Sequence, residues 1–355
     1  MSESTLFIPD ISGFTKFVKS TEISHSKHII EELISIIITQ GKKSFEVAEV
    51  EGDAVFLYKE AKMSPEELIE NAKRIFVAFH KHLKSYEHNR ICECGACTSA
   101  VDLKLKFIVH SGDISLANYG TGASKPFGDA VIVAHRLLKN QVPMDEYILL
   151  TDHFTKESEL QLDGDGALQD ESLGEIGFKY LAIDHWKTEV VIDKKHLQYD
   201  TVDFEITVNE DIDAHAMAIH RFVSEFKYRH LWNKEADRVE FDQDAINQSG
   251  SQHFCVIDGK DLVFDTIKPD FTEGLSYGEI LKNPTPLKYM EINFFIRDAA
   301  SGRSNVKMVI RANLKWKFQR LLLPVLKRKM KAQALKTLQS LRESIQEVPT
   351  AELAA

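Results

Sequence analysis

Thr5 to Pro9 is a short apolar run ending at Asp10, followed through Ile11-Ser12-Gly13-Phe14-Thr15 by apolar positions at helical spacing, Ile29, Ile30, Leu33 and Ile37. This pattern predicts strand, loop and helix. Ser44 to Glu51 and Ala54 to Tyr58 are strand-like and meet at Gly52-Asp53, which places an aspartate on a hairpin turn. Ser64, Pro65 and Glu67 supply an N-cap, a first-turn proline and a capping-box acid. Leu68, Ala72, Ile75, Phe76, Phe79, Leu83 and Tyr86 then continue as one face of a long helix. Leu103, Leu105 and Phe107 alternate with Lys104 and Lys106, a half-buried strand that leads through His110-Ser111-Gly112 into a second strand reaching Tyr119. Gly120, Gly122 and Gly128 punctuate a loop before a helix from Asp129 to Lys139. Together these elements predict an α+β layer, with helices on one face of a mainly antiparallel sheet.

After Tyr199 the pattern restarts. Val202, Phe204, Ile206 and Val208 alternate with polar residues, and a helical stretch reaches about Trp232. A meander follows, with a type I′ hairpin signal at Asp258-Gly259 and an antiparallel pair at Tyr289 to Arg297 and Asn305 to Arg311. Leu322 to Ser344 reads as a terminal helix. Lys315, Lys317, Arg320, Lys327, Arg328, Lys329 and Lys331 make its neighbourhood basic, either a solvated face or a surface for an anionic membrane or nucleotide.

The chain has 355 residues, 43% of them hydrophobic, which is enough for two cores. A formal charge of -10 opposes general nucleic-acid binding, so an anionic ligand must meet a local positive site. The beginning, MSESTLFIPD, lacks the basic flank and apolar run of a secretory signal, and Leu33 to Ile38 is far short of a membrane span. A cytoplasmic protein without transmembrane segments is expected. Cys92, Cys94 and Cys97 form Cys-x-Cys-x-x-Cys after the long helix, with His88 nearby. These four residues suit a structural Zn2+ site, and ordinary reduced thiols are the other reading. Cys255, in a strand of the second half, is expected in the core.

Phosphoryl and nucleotidyl transfer call for carboxylates to hold divalent ions, amides for phosphates and a cation for developing charge. Asp10 after a strand and Asp53 at a hairpin tip have the right chemistry for the first task; taken singly, each equally suits a turn or helix cap. Phe7 to Thr15, with Glu51-Gly52-Asp53-Ala54, resembles the two metal motifs of class III adenylyl and guanylyl cyclases. Val109-His110-Ser111-Gly112 is similar to that family's Ile-His-x-Gly strand, with Lys106 where an arginine is usual, and Phe127 to Leu137 resembles Gly-x-x-Val-Asn-x-Ala-x-Arg.

This resemblance implies a ferredoxin-like cyclase palm over residues 1-195, a nucleoside triphosphate substrate, two Mg2+ or Mn2+ ions on Asp10 and Asp53, and a head-to-tail homodimer. It implies nucleotide contacts from Ile11, Ser12, Gly13, Phe14 and Thr15, base-reading positions at Glu49 and Lys125, and catalytic charge stabilisation by Arg136 and Lys179. Ile132 replaces the family's ribose-orienting asparagine and cannot hydrogen-bond, so an inactive nucleotide-binding descendant is the alternative.

Residues 198-347 resemble the START-like helix-grip fold of polyketide cyclases and lipid-transfer domains, with 348-355 as a flexible tail. That resemblance implies an apolar cavity for a hydrophobic small molecule, with Trp232, Phe254, Tyr277, Phe294 and Trp316 as lining candidates; plain core packing is the other reading.

Overall fold

In the computed structural model, the described residues are 3–118, 124–152, 160–192, 202–242, 246–257, 259–282, 284, 286–349 and 353. Tyr119, Gly120, Gly122, Tyr199, Asp258, the junction at 195–198 and most of the 348–355 tail therefore lie outside them. The chain divides into two compact units, Met1–Ser85 with Ser99–Ile192, and Tyr86–Thr98 with Asp193–Ala355. No helix among the described residues is long and apolar enough to cross a membrane.

The first unit begins with β1 (Glu3–Ser12), α1 (Phe14–Ser20), α2 (Ile23–Gly41), β2 (Glu46–Glu51), β3 (Ala54–Lys59) and α3 (Pro65–Asn89), whose last turn belongs to the second unit. The capping box of α3 forms as its residues predict: Ser64 N donates to Glu67 Oε2 at 3.1 Å, and Glu67 N donates to Ser64 Oγ at 3.2 Å. All seven apolar positions read as one face of α3 are buried.

After the short α4 (Gly95–Ser99) come β4 (Lys104–Asp113), β5 (Ser115–Asn118), β6 (Ser124–Phe127), α5 (Asp129–Leu137), β7 (Tyr147–Thr151), β8 (Gly164–Asp170) and β9 (Gly174–Ala182). The main sheet runs β2-β3-β1-β4-β7-β9-β8, and its described pairs are antiparallel except β4 with β7. Parallel strands need a crossover, and α5 supplies it.

Helices consequently cover both faces of this sheet rather than one. Leu6, Ile8, Phe56, Ile108, Leu149 and Phe178 pack with Ala130, Ala134 and Leu137 of α5. The opposite parity carries Phe7, stacked on Phe45 at 4.8 Å, and Leu57, which lies against Gly41 of α2. Gly112 allows the close approach of α5: a Cβ there would stand 2.7 Å from that of Ala130.

The second unit adds β10 (Phe204–Ile212), α6 (Ala216–Ser224), α7 (Arg229–Trp232), β11 (Arg238–Glu240), β12 (Gln252–Ile257), β13 (Lys260–Ile267), β14 (Leu275–Lys282), β15 (Leu287–Asp298), β16 (Ser304–Leu314) and α8 (Leu323–Ile345). Its sheet is antiparallel throughout, in the order β10-β16-β15-β14-β13-β12-β11. Ala334, Leu338, Leu341 and Ile345 of α8 join Ile206, Phe294, Met308 and Ile310 in one core. A long helix packed on an antiparallel meander is the helix-grip arrangement, and the described residues of both units are α+β.

Candidate functional site

Asp10 is inside β1, not at its end. The β1–β4 ladder continues to Ser12, so Asp10 stands opposite Lys106 of β4 and Ala54 of β3. Lys106 Nζ lies 3.0 Å from Asp10 Oδ2, and both residues are largely buried. Asp53 occupies the β2–β3 turn, which Gly52 makes possible with φ 64°. The Ile11 amide donates to the Asp53 carbonyl at 3.1 Å, drawing the two aspartate-bearing segments together.

The Asp53 carboxyl is held above the usual range by burial and by the charge of Asp10. Burial pulls Lys106 down, but the Asp10 charge and hydrogen bond, with help from Asp53, outweigh it and leave the amine above its ordinary value. The sequence pattern showed Lys106 on a half-buried strand without showing its partner. It did not signal Tyr147, which starts β7 within electrostatic reach of Lys106 and Asp10, its hydroxyl donating to Asn140 Oδ1 at 2.9 Å.

Ile11 is buried, so its backbone is what it can offer a ligand. Ser12 Oγ donates to the Asp145 carbonyl at 3.3 Å, Gly13 takes φ 89°, and Phe14 and Thr15 open α1. Glu49 and Lys125, the two base-reading positions, form an ion pair with each other, and the Lys125 hydrogen bond holds Glu49 below the usual carboxylate range. His135 Nδ1 lies 3.3 Å from Glu51 Oε2, and ligand atoms of Glu49, Glu51 and His135 lie within 4.8 Å of one another.

Arg136 is not brought to the aspartates. Its Nε meets Asp170 Oδ2 at 3.1 Å on β8, the sheet edge opposite β2. Lys179 pairs in register with Leu150, on the face opposite Phe178, and is exposed. Strand parity therefore separates it from Asp10, which shares the face of Leu6, Ile8 and Phe178. Ile132 is 46% exposed on α5.

In the second unit a cavity of about 170 Å³ opens between sheet and α8, lined by Trp232 and Phe294 together with Met290, Met308 and Met330. Arg229 and Glu279 form a buried ion pair at its wall, with Arg229 Nη1 2.5 Å from Glu279 Oε1. The Tyr277 hydroxyl donates to the same carboxylate, and Tyr277 is wholly buried in the core without lining the cavity. Burial raises Glu279, but the charge of Arg229 prevails, and with hydrogen bonds from Arg229 and Tyr277 the carboxyl stays below the usual range. Burial pushes His253 down to about 4.

Phe254 and Trp316 do not line this cavity. His253 and Cys255 are fully buried, so alternation along β12 turns Phe254 to the outside, 40% exposed. Trp316 stacks on Phe318 before α8 and is 44% exposed.

Cys92, Cys94 and Cys97 gather with their sulfurs within 4.8 Å of one another, and none is in a disulfide. His88 does not join them: on the last turn of α3 it faces a groove of about 680 Å³ with Glu93, Lys268 and Asn293. Cys255 is buried in a small cluster with Phe264 and Leu281.

Residues 30–147 match the profile of a family described as protein of unknown function (DUF2652). The uncharacterized protein Rv2561/Rv2562 of Mycobacterium tuberculosis (strain ATCC 25618 / H37Rv) is 26% identical over 115 residues, 32% of this chain and 54% of that protein. The chain thus matches about half the length of that curated relative. Among solved structures, the guanylate cyclase domain of RhGC from Catenaria anguillulae, in complex with GTP, is similar at 15% identity and TM-score 0.35, over 51% of this chain and 96% of that one. A START superfamily protein from Mycobacterium smegmatis is similar at 17% identity and TM-score 0.34, over 41% of this chain and 98% of that one.

Proposed function

We propose that the first unit is a nucleotidyl cyclase-like module that binds a nucleoside triphosphate with Mg2+ or Mn2+ and converts it to a cyclic mononucleotide and pyrophosphate. The observation that carries this reading is the Asp10–Asp53 relationship. The Ile11 amide, next to Asp10, meets the Asp53 carbonyl at 3.1 Å and so sets two carboxylates on neighbouring segments, and the Asp10 charge adds to burial in raising Asp53. An oxygen-only, doubly acidic donor set suits a hard divalent cation, and a cation bound there would offset the burial and the Asp10 charge that raise Asp53.

Bound there, the ions would polarise phosphate oxygens and offset developing charge. Asp10 and Asp53 would hold them, and Lys106 would turn from Asp10 towards the phosphates. Arg136, tied to Asp170 away from the aspartates of its own chain, fits a role in trans within a head-to-tail homodimer.

A second reading makes the protein a non-catalytic sensor, and two observations favour it. Ile132 offers an exposed apolar side chain where a hydrogen-bonding group is needed, and Glu49 and Lys125 satisfy each other. In this reading the first unit binds nucleotide without turnover. The second unit takes an apolar molecule whose polar end meets Arg229 and Glu279.

Incubation with ATP or GTP and Mn2+, followed by mass spectrometry, separates the two. Cyclic product that disappears in Asp53→Ala supports the enzyme. No product, with calorimetric nucleotide binding that Asp10→Ala abolishes, supports the sensor. Absence of both product and metal-dependent binding removes both readings.

A further inference from the structure

We propose that Cys92, Cys94 and Cys97 bind one thiophilic divalent metal ion, zinc, and that the ion cross-links the turn they form within the segment Tyr86–Thr98. This inference is independent of the nucleotide site. Three residues of one short stretch converge: Cys92 precedes the turn, Cys94 starts it with its carbonyl accepting the Thr98 amide at 3.0 Å, and Cys97 lies wholly buried inside α4. Their sulfurs already lie within 4.8 Å of one another. Zinc–sulfur bonds of about 2.3 Å in a tetrahedron place sulfurs roughly 3.8 Å apart, so closing on an ion requires shifts of about 1 Å at most.

The frame that presents the thiols is fixed on both sides. Arg90 bridges to Gln248, the Asn89 carbonyl accepts the Ser249 amide at 2.7 Å, and Ile91 is buried in the core of the second unit. Between the cysteines, Glu93 is clamped by Arg90 at 3.0 Å and by Lys268 at 2.8 Å. A loop held this firmly, with three sulfurs converging and no disulfide among them, has the preorganisation of a chelate. Binding releases the thiol protons to solvent and leaves three thiolates on the ion, with no change of oxidation state. A nitrogen or oxygen donor outside the trio completes the tetrahedron.

The test is metal analysis of the full chain purified under reducing conditions, with zinc as the probe. The expected result is about one zinc per chain, with X-ray absorption showing three sulfurs and one lighter donor. Cys94→Ser is expected to lower zinc content more than about tenfold. Chelator treatment is expected to open 86–98 to protease, with protection restored by zinc. Because Cys97 is buried and its replacement can disturb folding, the decisive spectrum is that of the unaltered chain with cobalt in place of zinc, read for thiolate-to-metal charge transfer. A chain that neither carries zinc nor takes it up, or one whose bound zinc sees fewer than three sulfurs, overturns the proposal.

Discussion

Lys106 reaches Asp10 from the directly opposed position of the β1–β4 ladder, at 3.0 Å, and so supplies positive charge where the carboxylate pair needs it. A divalent cation and this ammonium therefore compete for the same oxygens. Lys106→Met is expected to bind Mn2+ about tenfold more tightly than the parent chain, since one opposing interaction of roughly 1.4 kcal/mol is removed. Titration followed by the Mn2+ electron paramagnetic resonance signal reads this, and weakened Mn2+ binding in the variant would contradict the competition.

Asp53 gives a prediction with a definite pH sign. Its folded pKa is raised, so its ionised form costs stability at pH values above that pKa, and the cost vanishes where the group is protonated in both states. Asp53→Asn is expected to stabilise the metal-free chain at pH 7 by up to about 1 kcal/mol, after allowance for solvent screening. Urea unfolding is expected to show no such gain near pH 3.

The turn around Asp53 was legible because its signal is local, whereas the local pattern ended the strand at Asp10, which lies inside β1; pairing the two aspartates rested on the resemblance. Lys106 was visible as one of two alternating lysines, but its partner depends on strand register, which is set by chain segments far apart in sequence. The same limit hid the pairing of Arg229 with Glu279, since a lone glutamate inside an apolar run gives no indication of what faces it. Phe254 is different. Cys255 was placed in the core from sequence, and alternation along a strand then already requires Phe254 to point outward.

The Arg229–Glu279 pair sets up a strong asymmetry between single and double replacement. Arg229→Met leaves a buried carboxylate unpaired and is expected to cost about 3–5 kcal/mol, whereas Arg229→Met with Glu279→Leu should recover most of that loss. Equilibrium unfolding of the three chains tests this, and a double variant no better than the single one would show that Tyr277 and His253 need the pair.

His253 makes the second unit acid-sensitive. Its folded pKa is lowered to about 4, so the native state keeps the ring neutral while the unfolded chain takes up a proton below its ordinary value. Stability is thus full above about pH 6.5 and falls as pH drops towards 4, by about 3 kcal/mol from this group. His253→Gln is expected to flatten that part of the stability profile, measured by denaturant unfolding from pH 7 to 4.

The grouping of Tyr86–Thr98 with Asp193–Ala355 has a consequence for synthesis on the ribosome. Arg90 and Ile91 leave the exit tunnel long before Gln248 and the strands they join exist. At about 5–20 residues per second the delay is on the order of ten seconds or more. During that interval a nascent first half carries a short stretch with three thiols and an isoleucine whose core residues are not yet made. Exposure to oxidants or premature association at this stretch is therefore a hazard of translation itself, and it ends only when the last half of the chain arrives.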